Sequence, residues 1–255
     1  MITRVDVLGI DLAAEVKATG AVRVVRAASA WSVTTVEGRL DGDALIDAVR
    51  MVDVVSVDSP LGWPAAFVDA IEAHGSFRPW PGGVDRSTLT HRDTDRAIRQ
   101  HGIRAALSVS ADKLGSVAMR CALLQRRWAE EVWGAPAARD GSGRLVETYP
   151  AAALASWGIE CRGYKDRGDP AAATVVRRHI VAKLESALGS WLDLQPAREA
   201  CVESDHVLDA LLSALVAIAA KTASTHAPIE SQCDAAQREG WIHVPSSSLS
   251  LLRPA

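Results

Sequence analysis

Three short apolar runs in the chain each stop on one carboxylate: VDVLGID at Asp11, VDVVSVD at Asp58 and RLVE at Glu147. Runs so short and so rich in β-branched residues read as strands buried on both faces. A charge is tolerable there only where the strand leaves the core. The pattern predicts strands over Arg4–Asp11, Gly20–Ala28, Trp31–Glu37, Val52–Asp58 and Leu145–Thr148, with a short helix around Leu45–Val49. Three tightly joined strands form an antiparallel meander, and crossovers then lay the fourth and fifth parallel to the first. The expected fold class is α/β, with a five-stranded mixed sheet in the order 3-2-1-4-5 flanked by helices. Only the second strand runs antiparallel to the rest.

The middle of the chain is less regular. Pro64 suits the first position of a helix running to His74, and a Pro/Gly-rich loop, SFRPWPGGVDRST, follows it. After the polar stretch THRDTDRAIRQHGI, a longer helix is expected from Asp112 to Trp133, with Arg120, Arg126 and Arg127 on its outer faces. Residues 58–143 thus read as a helical and loop insertion after the fourth strand, within one domain spanning 1–255. The last third is helical. Asp169 and Pro170 open a helix to Leu188, with Val176, Ile180, Leu184 and Leu188 recurring every four residues. From Ser204 a second helix buries Leu208, Leu211, Leu212, Leu215 and Val216, and Asp205 and Asp209 lie one turn apart on a shared face. Gly240–Val244 adds an edge strand.

In open α/β sheets, ligands bind at the carboxyl ends of the strands. Several carboxylates meeting there repel one another unless a cation lies between them, so the pattern proposes a divalent-metal site. Asp11 and Asp58 would share the ion and Asp209 would complete its shell, with Asp205 a supporting or alternate ligand. Glu147 would ligate directly or hold a metal-bound water. Oxygen donors of this kind suit Mg²⁺ or Mn²⁺, whereas a His/Cys set would suit zinc. Each residue also has a structural role open to it. Asp11 and Asp58 can cap turns, Glu147 can pair with Arg144 or Lys165, and Asp205 suits a helix's first turn. Asp209 stands deeper among leucines, where an unpaired charge is costly.

Composition narrows the partners. The 255 residues carry a net charge of -3, which excludes a strongly basic nucleic-acid-binding tail but leaves room for a local basic face. Arg92 and Arg96, one turn apart, are candidates to grip a phosphate, although Asp93 and Asp95 compete for them. Lys165 is a candidate to offset phosphate charge, and His206 to carry a proton. Trp63 and Trp80 fall in loops and are candidates to stack on a base. Arg126–Arg127 and Arg177–Arg178 read as solvated helix faces. Cys121, Cys161, Cys201 and Cys233 are scattered without ligand spacing, as in reduced cytosolic proteins. The strand-like start near Val5 and the short apolar runs predict a cytoplasmic protein with no signal peptide and no membrane span.

Five motifs in fixed order carry a family resemblance: GIDLA followed by Gly20, VDSPLGWP, RDTDRAIR, VETYPAAALASWG followed by GYK, and SDHVLDALLSA. Over Val7 to Ala219 the chain resembles the proteins grouped as domain of unknown function 429, regarded as a predicted nuclease branch of the ribonuclease H-like superfamily. The resemblance implies a ribonuclease H-like sheet with Asp11 on the central first strand, Asp58 on its neighbour and acidic residues on the last helix beside them. It further implies hydrolysis of phosphodiester bonds in a nucleic acid or a nucleotide-like substrate. Such sites hold two Mg²⁺ or Mn²⁺ ions about 3.5–4 Å apart. Two other readings stand beside it. One is a phosphotransferase or phosphohydrolase acting on a small phosphorylated ligand, since sugar kinases and actin-like ATPases share a GIDLG-type first strand. Their second, glycine-rich unit is missing here. The other is a non-catalytic nucleic-acid-binding scaffold.

Overall fold

The computed structural model describes residues 6–27, 30–80, 82–101 and 106–253. Arg4, Val5 and Ala28, at the ends of two expected strands, lie outside the described residues. The five predicted strands form as β1 (Val7–Asp11), β2 (Gly20–Ala27), β3 (Ala30–Thr35), β4 (Val54–Asp58) and β5 (Leu145–Thr148). Among the described residues the sheet has seven strands rather than five, in the order β6-β3-β2-β1-β4-β5-β7. The additions are two-residue edge strands, β6 (Leu192–Asp193) and β7 (Ile242–His243), the latter inside the expected Gly240–Val244. Two residues carry no alternation to read, which is why β6 went unpredicted. Strand β2 is antiparallel to both neighbours, and the remaining pairings are parallel.

Among the described residues, ten α-helices accompany the sheet. The first five are α1 (Gly42–Arg50), α2 (Ala65–Gly75), α3 (Arg86–Thr90), α4 (Asp93–Gln100) and α5 (Gly115–Trp128). They are followed by α6 (Pro150–Ser156), α7 (Pro170–Leu188), α8 (Arg198–Glu203), α9 (Asp205–Lys221) and α10 (Cys233–Glu239). Caps explain several boundaries. Asp41, Asp169 and Ser204 each accept a backbone N–H of the first turn they precede. Pro64 sits at the N-cap of α2, one residue earlier than expected. Helix α5 passes into a π-helical turn at Ala129–Trp133 that ends on Gly134 at φ 76°, so the long helix predicted to Trp133 changes pitch in its last turn. The polar stretch left unassigned contains α4, whose buried face includes Thr94 and Asp95 and therefore shows no apolar stripe.

Strand side chains alternate between faces. Val7, Val22, Val24, Val54 and Val146 pack with Ile180 and Leu184 of α7 and Leu208, Leu211 and Leu215 of α9. Leu8, Ile10, Val55, Val57 and Leu145 pack on the other face with Leu45 and Val49 of α1 and Cys121, Leu124 and Trp128 of α5. Helix α9 is buried almost all round from Leu208 to Ala219, as a central core helix must be. Glycines let its backbone lie against the sheet. A Cβ on Gly9 would stand 1.9 Å from the Ala210 carbonyl oxygen, and one on Gly20 2.3 Å from that of His206. Gly9→Ala is therefore expected to push α9 off β1 and to destabilise the fold by about 1–3 kcal/mol. Chemical denaturation measures this, and an unchanged midpoint would show that the contact is not tight.

Candidate metal centre

Asp11 and Asp58 end adjacent parallel strands and are direct register partners, so both side chains emerge on the α9 face. Asp209, fully buried one turn into α9, meets them there. One oxygen from each of the three carboxylates lies within 4.8 Å of the other two. Three like charges in so small a space disfavour ionisation. Burial, and then the charge of Asp11, push the Asp58 carboxyl well above the usual carboxylate range. Burial likewise pushes Asp209 up to about 7, with Asp11 adding to it against the opposing pull of Lys165.

The chain supplies its own counter-charges. The Lys165 ammonium forms an ion pair with Asp209 Oδ2, while the Tyr164 hydroxyl donates to Oδ1 at 3.0 Å. Among the described residues no hydrogen-bond donor is aligned on the buried Oδ2. Burial would lower the pKa of Lys165, but the carboxylates of Asp209 and Asp58 outweigh it and hold the ammonium charged. His206 Nδ1 is 2.6 Å from Asp11 Oδ2, and this hydrogen bond raises the imidazole's pKa. Arg167 pairs with Asp205 Oδ2 at 2.9 Å and reaches His206 Nε2 at 3.4 Å.

Arginines position these groups. Arg177 of α7 donates to the carbonyls of Tyr164, Val202 and Glu203 and so fastens the loop carrying Tyr164 and Lys165 to the end of α8. It was expected on a solvated face, yet it is only 6 % exposed. Its spacing from Ala173, Ile180, Val181 and Leu184 was the available signal, because all five fall on the buried face. Arg120, also placed outside by the sequence, donates to the carbonyls of Ala13 and Leu40 and pins the loop that leaves β1. Arg126 and Arg127 do lie at the surface, paired with Glu130 and Glu131.

Glu147 is the main departure from the expected ligand set. It is the register partner of Val57, not of Asp58, so it projects from the opposite face of the sheet. There it is bound by Arg92 at 2.7 and 2.9 Å and accepts the Leu61 N–H at 3.0 Å. Burial raises its pKa and Arg92 opposes the rise. Thr148 takes the position beside Asp58 and hydrogen-bonds Ser213 on α9. All five N–H donors of Arg92 are occupied, by Asp95, Glu147 and the Glu239 carbonyl. The guanidinium is 2 % exposed and has no donor left for a phosphate. Arg96 is held by Asp93 and the His91 carbonyl. The Glu239 carboxylate accepts the first N–H groups of α2 and α4, Ala65 and Asp93, a use of helix N-termini that the sequence did not disclose.

The strand ends open into a pocket of about 390 Å³ whose lining includes Asp11, Asp58, Lys165, Arg167, Asp205 and His206. Neither Trp63 nor Trp80 is among the described residues that line it; Trp80 packs edge-on against His74 instead. Three hard oxygen donors converge on one point, and one buried oxygen lacks an aligned donor. That arrangement fits a divalent ion ligated at about 2.0–2.6 Å. Lys165 competes for the same oxygens. Lys165→Met is accordingly expected to tighten Mn²⁺ binding on the order of tenfold, from the loss of a charge-assisted contact worth ~1.5–3 kcal/mol. Titration calorimetry reads this directly, and weaker binding would mean that Lys165 supports the ion rather than opposing it. In the wild-type protein the raised carboxyls hold protons that an ion must displace. Affinity should therefore climb as pH rises through the range in which the raised Asp209 and Asp58 carboxyls lose their protons.

No described helix is long and apolar enough to cross a membrane. The four cysteines are free thiols. No curated protein and no solved structure matches the chain. The family model described as protein of unknown function (DUF429) matches residues 9–232, which is most of the chain, and the protein therefore belongs to that family.

Proposed function

We propose that the protein is a Mg²⁺- or Mn²⁺-dependent phosphodiester hydrolase built on a ribonuclease H-like sheet. The observation that carries this reading is the convergence of Asp11 and Asp58, register partners on β1 and β4, with Asp209 from the central helix. The resemblance implies Asp11 on the central first strand with Asp58 on its neighbour, and the order β3-β2-β1-β4-β5 supports that reading. Asp11, Asp58 and Asp209 would hold the ion. When bound, the ion supplies a Lewis acid for a phosphoryl oxygen and activates a water as nucleophile. Lys165 and Arg167, released from Asp209 and Asp205, meet the phosphate charge. His206, oriented through Nδ1 by Asp11, offers Nε2 as the atom that carries a proton to the leaving oxygen. A second ion would require Asp205 to give up Arg167. Glu147 acts from the far face by holding Arg92 and the Leu61 N–H.

The confined pocket and the net charge of -3 favour a second reading, a phosphohydrolase or phosphotransferase on a small phosphorylated ligand. Single-stranded, duplex, hybrid and branched nucleic acids are assayed with each metal, alongside the p-nitrophenyl ester of thymidine monophosphate. Metal-dependent product that EDTA abolishes is expected from at least one of these diesters. Turnover of phosphomonoesters alone would favour the second reading.

A further inference from the structure

The pocket lining combines two kinds of side chain: the charged groups of Asp11, Asp58, Lys165 and Arg167, and the apolar groups of Leu107, Leu114 and Val117. Leu107 is 54 % exposed, and Leu114 and Val117 are half-buried. One exposed leucine on a protein surface means little. Three apolar side chains that line one cavity together with two cations make it amphipathic. A largely apolar lining with a few placed polar groups is the usual make-up of a small-ligand site, and about 390 Å³ lies at the small end of such sites.

The cations point the same way. Binding to a duplex rests on many phosphate contacts distributed along the backbone. Here Lys165 and Arg167 stand two residues apart on one loop, and both are tied to carboxylates of α9. The other guanidinium of the lining, that of Arg92, is fully used by its own partners. That supply of charge meets one phosphate, not a strand.

We infer that the site binds a single nucleotide-sized phosphoester, its phosphate held between the carboxylate cluster and Lys165–Arg167 and its flat apolar group against Leu107, Leu114 and Val117. The inference rests on the metal-dependent reading above and specifies its substrate class. The unit recognised is either a free nucleotide ester or one nucleotide of a single strand.

Equilibrium binding to the full chain in the presence of Mn²⁺ tests it. The probes are thymidine monophosphate, methyl phosphate, a short uncleavable phosphorothioate single strand and a duplex of equal length. Thymidine monophosphate should bind roughly tenfold or more tightly than methyl phosphate, an increment well within reach of burying one base against apolar side chains. Leu107→Glu should erase that advantage, and Leu107→Ala should reduce it. Both variants should retain methyl phosphate and Mn²⁺ binding, which also shows that they fold. A single strand that binds at least as well as the nucleotide identifies the strand as the source, and a weaker one identifies the free ester. Equal affinity for the two monophosphates, an advantage that survives Leu107→Glu, or tightest binding to the duplex would each overturn the inference while leaving the metal site standing. Absence of Mn²⁺ binding would remove the metal reading and the inference with it.

Discussion

Asp11→Asn is expected to remove metal-dependent cleavage, by roughly 100-fold or more, the cost of losing one charged group at a reacting centre. Asp11 has two functions in the site. It is one of the three oxygen donors, and it accepts the hydrogen bond that orients His206. Asparagine keeps the size and can still accept that hydrogen bond, so the loss isolates the charge. The fold should survive, because the substitution relieves repulsion on Asp58 and Asp209, both raised by their neighbour. A steady-state assay beside a thermal melt separates the two effects. Undiminished cleavage by the variant would assign the activity to another site or a contaminant.

Arg92→Ala is expected to be the most damaging substitution for stability, at about 3–5 kcal/mol, because it strands buried carboxylates without a partner. Asp95 and Glu147 are each about 1 % exposed and depend on this guanidinium. The pH dependence has a definite sign. Burial already raises Glu147 even with Arg92 beside it, and without the arginine it rises further. The folded variant then holds a proton that the unfolded chain has released. Its stability falls as pH increases from the ordinary carboxylate value through the raised one. The variant should be closer to wild type at pH 5 than at pH 8 in urea unfolding. Because Arg92 acts on the sheet face opposite the metal cluster, Mn²⁺ affinity of the folded fraction should change little. A loss of substrate affinity at unchanged stability would instead return Arg92 to the phosphate-binding role the sequence suggested.

Glu147 shows where sequence reading of this chain stops. Apolar runs ending in Asp11 and Asp58 announced both strands and the end of each that carries the site, since only a strand terminus tolerates such a charge. The same run at RLVE announced β5 equally well. Whether its carboxylate shares a face with Asp58 depends on inter-strand register, which an offset of one residue reverses. No local pattern encodes that offset. Helix α9 was legible from its leucine stripe, and Asp209 stood out because it interrupts that stripe at a cost only a partner can offset. The partners themselves came from elsewhere. Tyr164 adjoins Lys165 in a motif where only the charged residue drew notice, and Arg177 looked like one more surface arginine. Helix α4 was hidden for a related reason: two of its buried side chains, Thr94 and Asp95, are polar, satisfied by the Ile242 N–H that Thr94 accepts and by Arg92. Hydrophobic patterning detects burial by exclusion of polar groups, so it fails where polar groups are buried in pairs.

The proposed hydrolysis requires a cation at the point where β1, β4 and α9 meet. Anomalous diffraction from crystals soaked in Mn²⁺ tests that placement most directly. The predicted result is a peak within ligating distance of oxygens from Asp11, Asp58 and Asp209, with the Lys165 ammonium displaced from Asp209 and Glu147 still bound to Arg92. Density that leaves Lys165 on Asp209, with no peak between the three carboxylates under conditions where Mn²⁺ is in large excess, would contradict it.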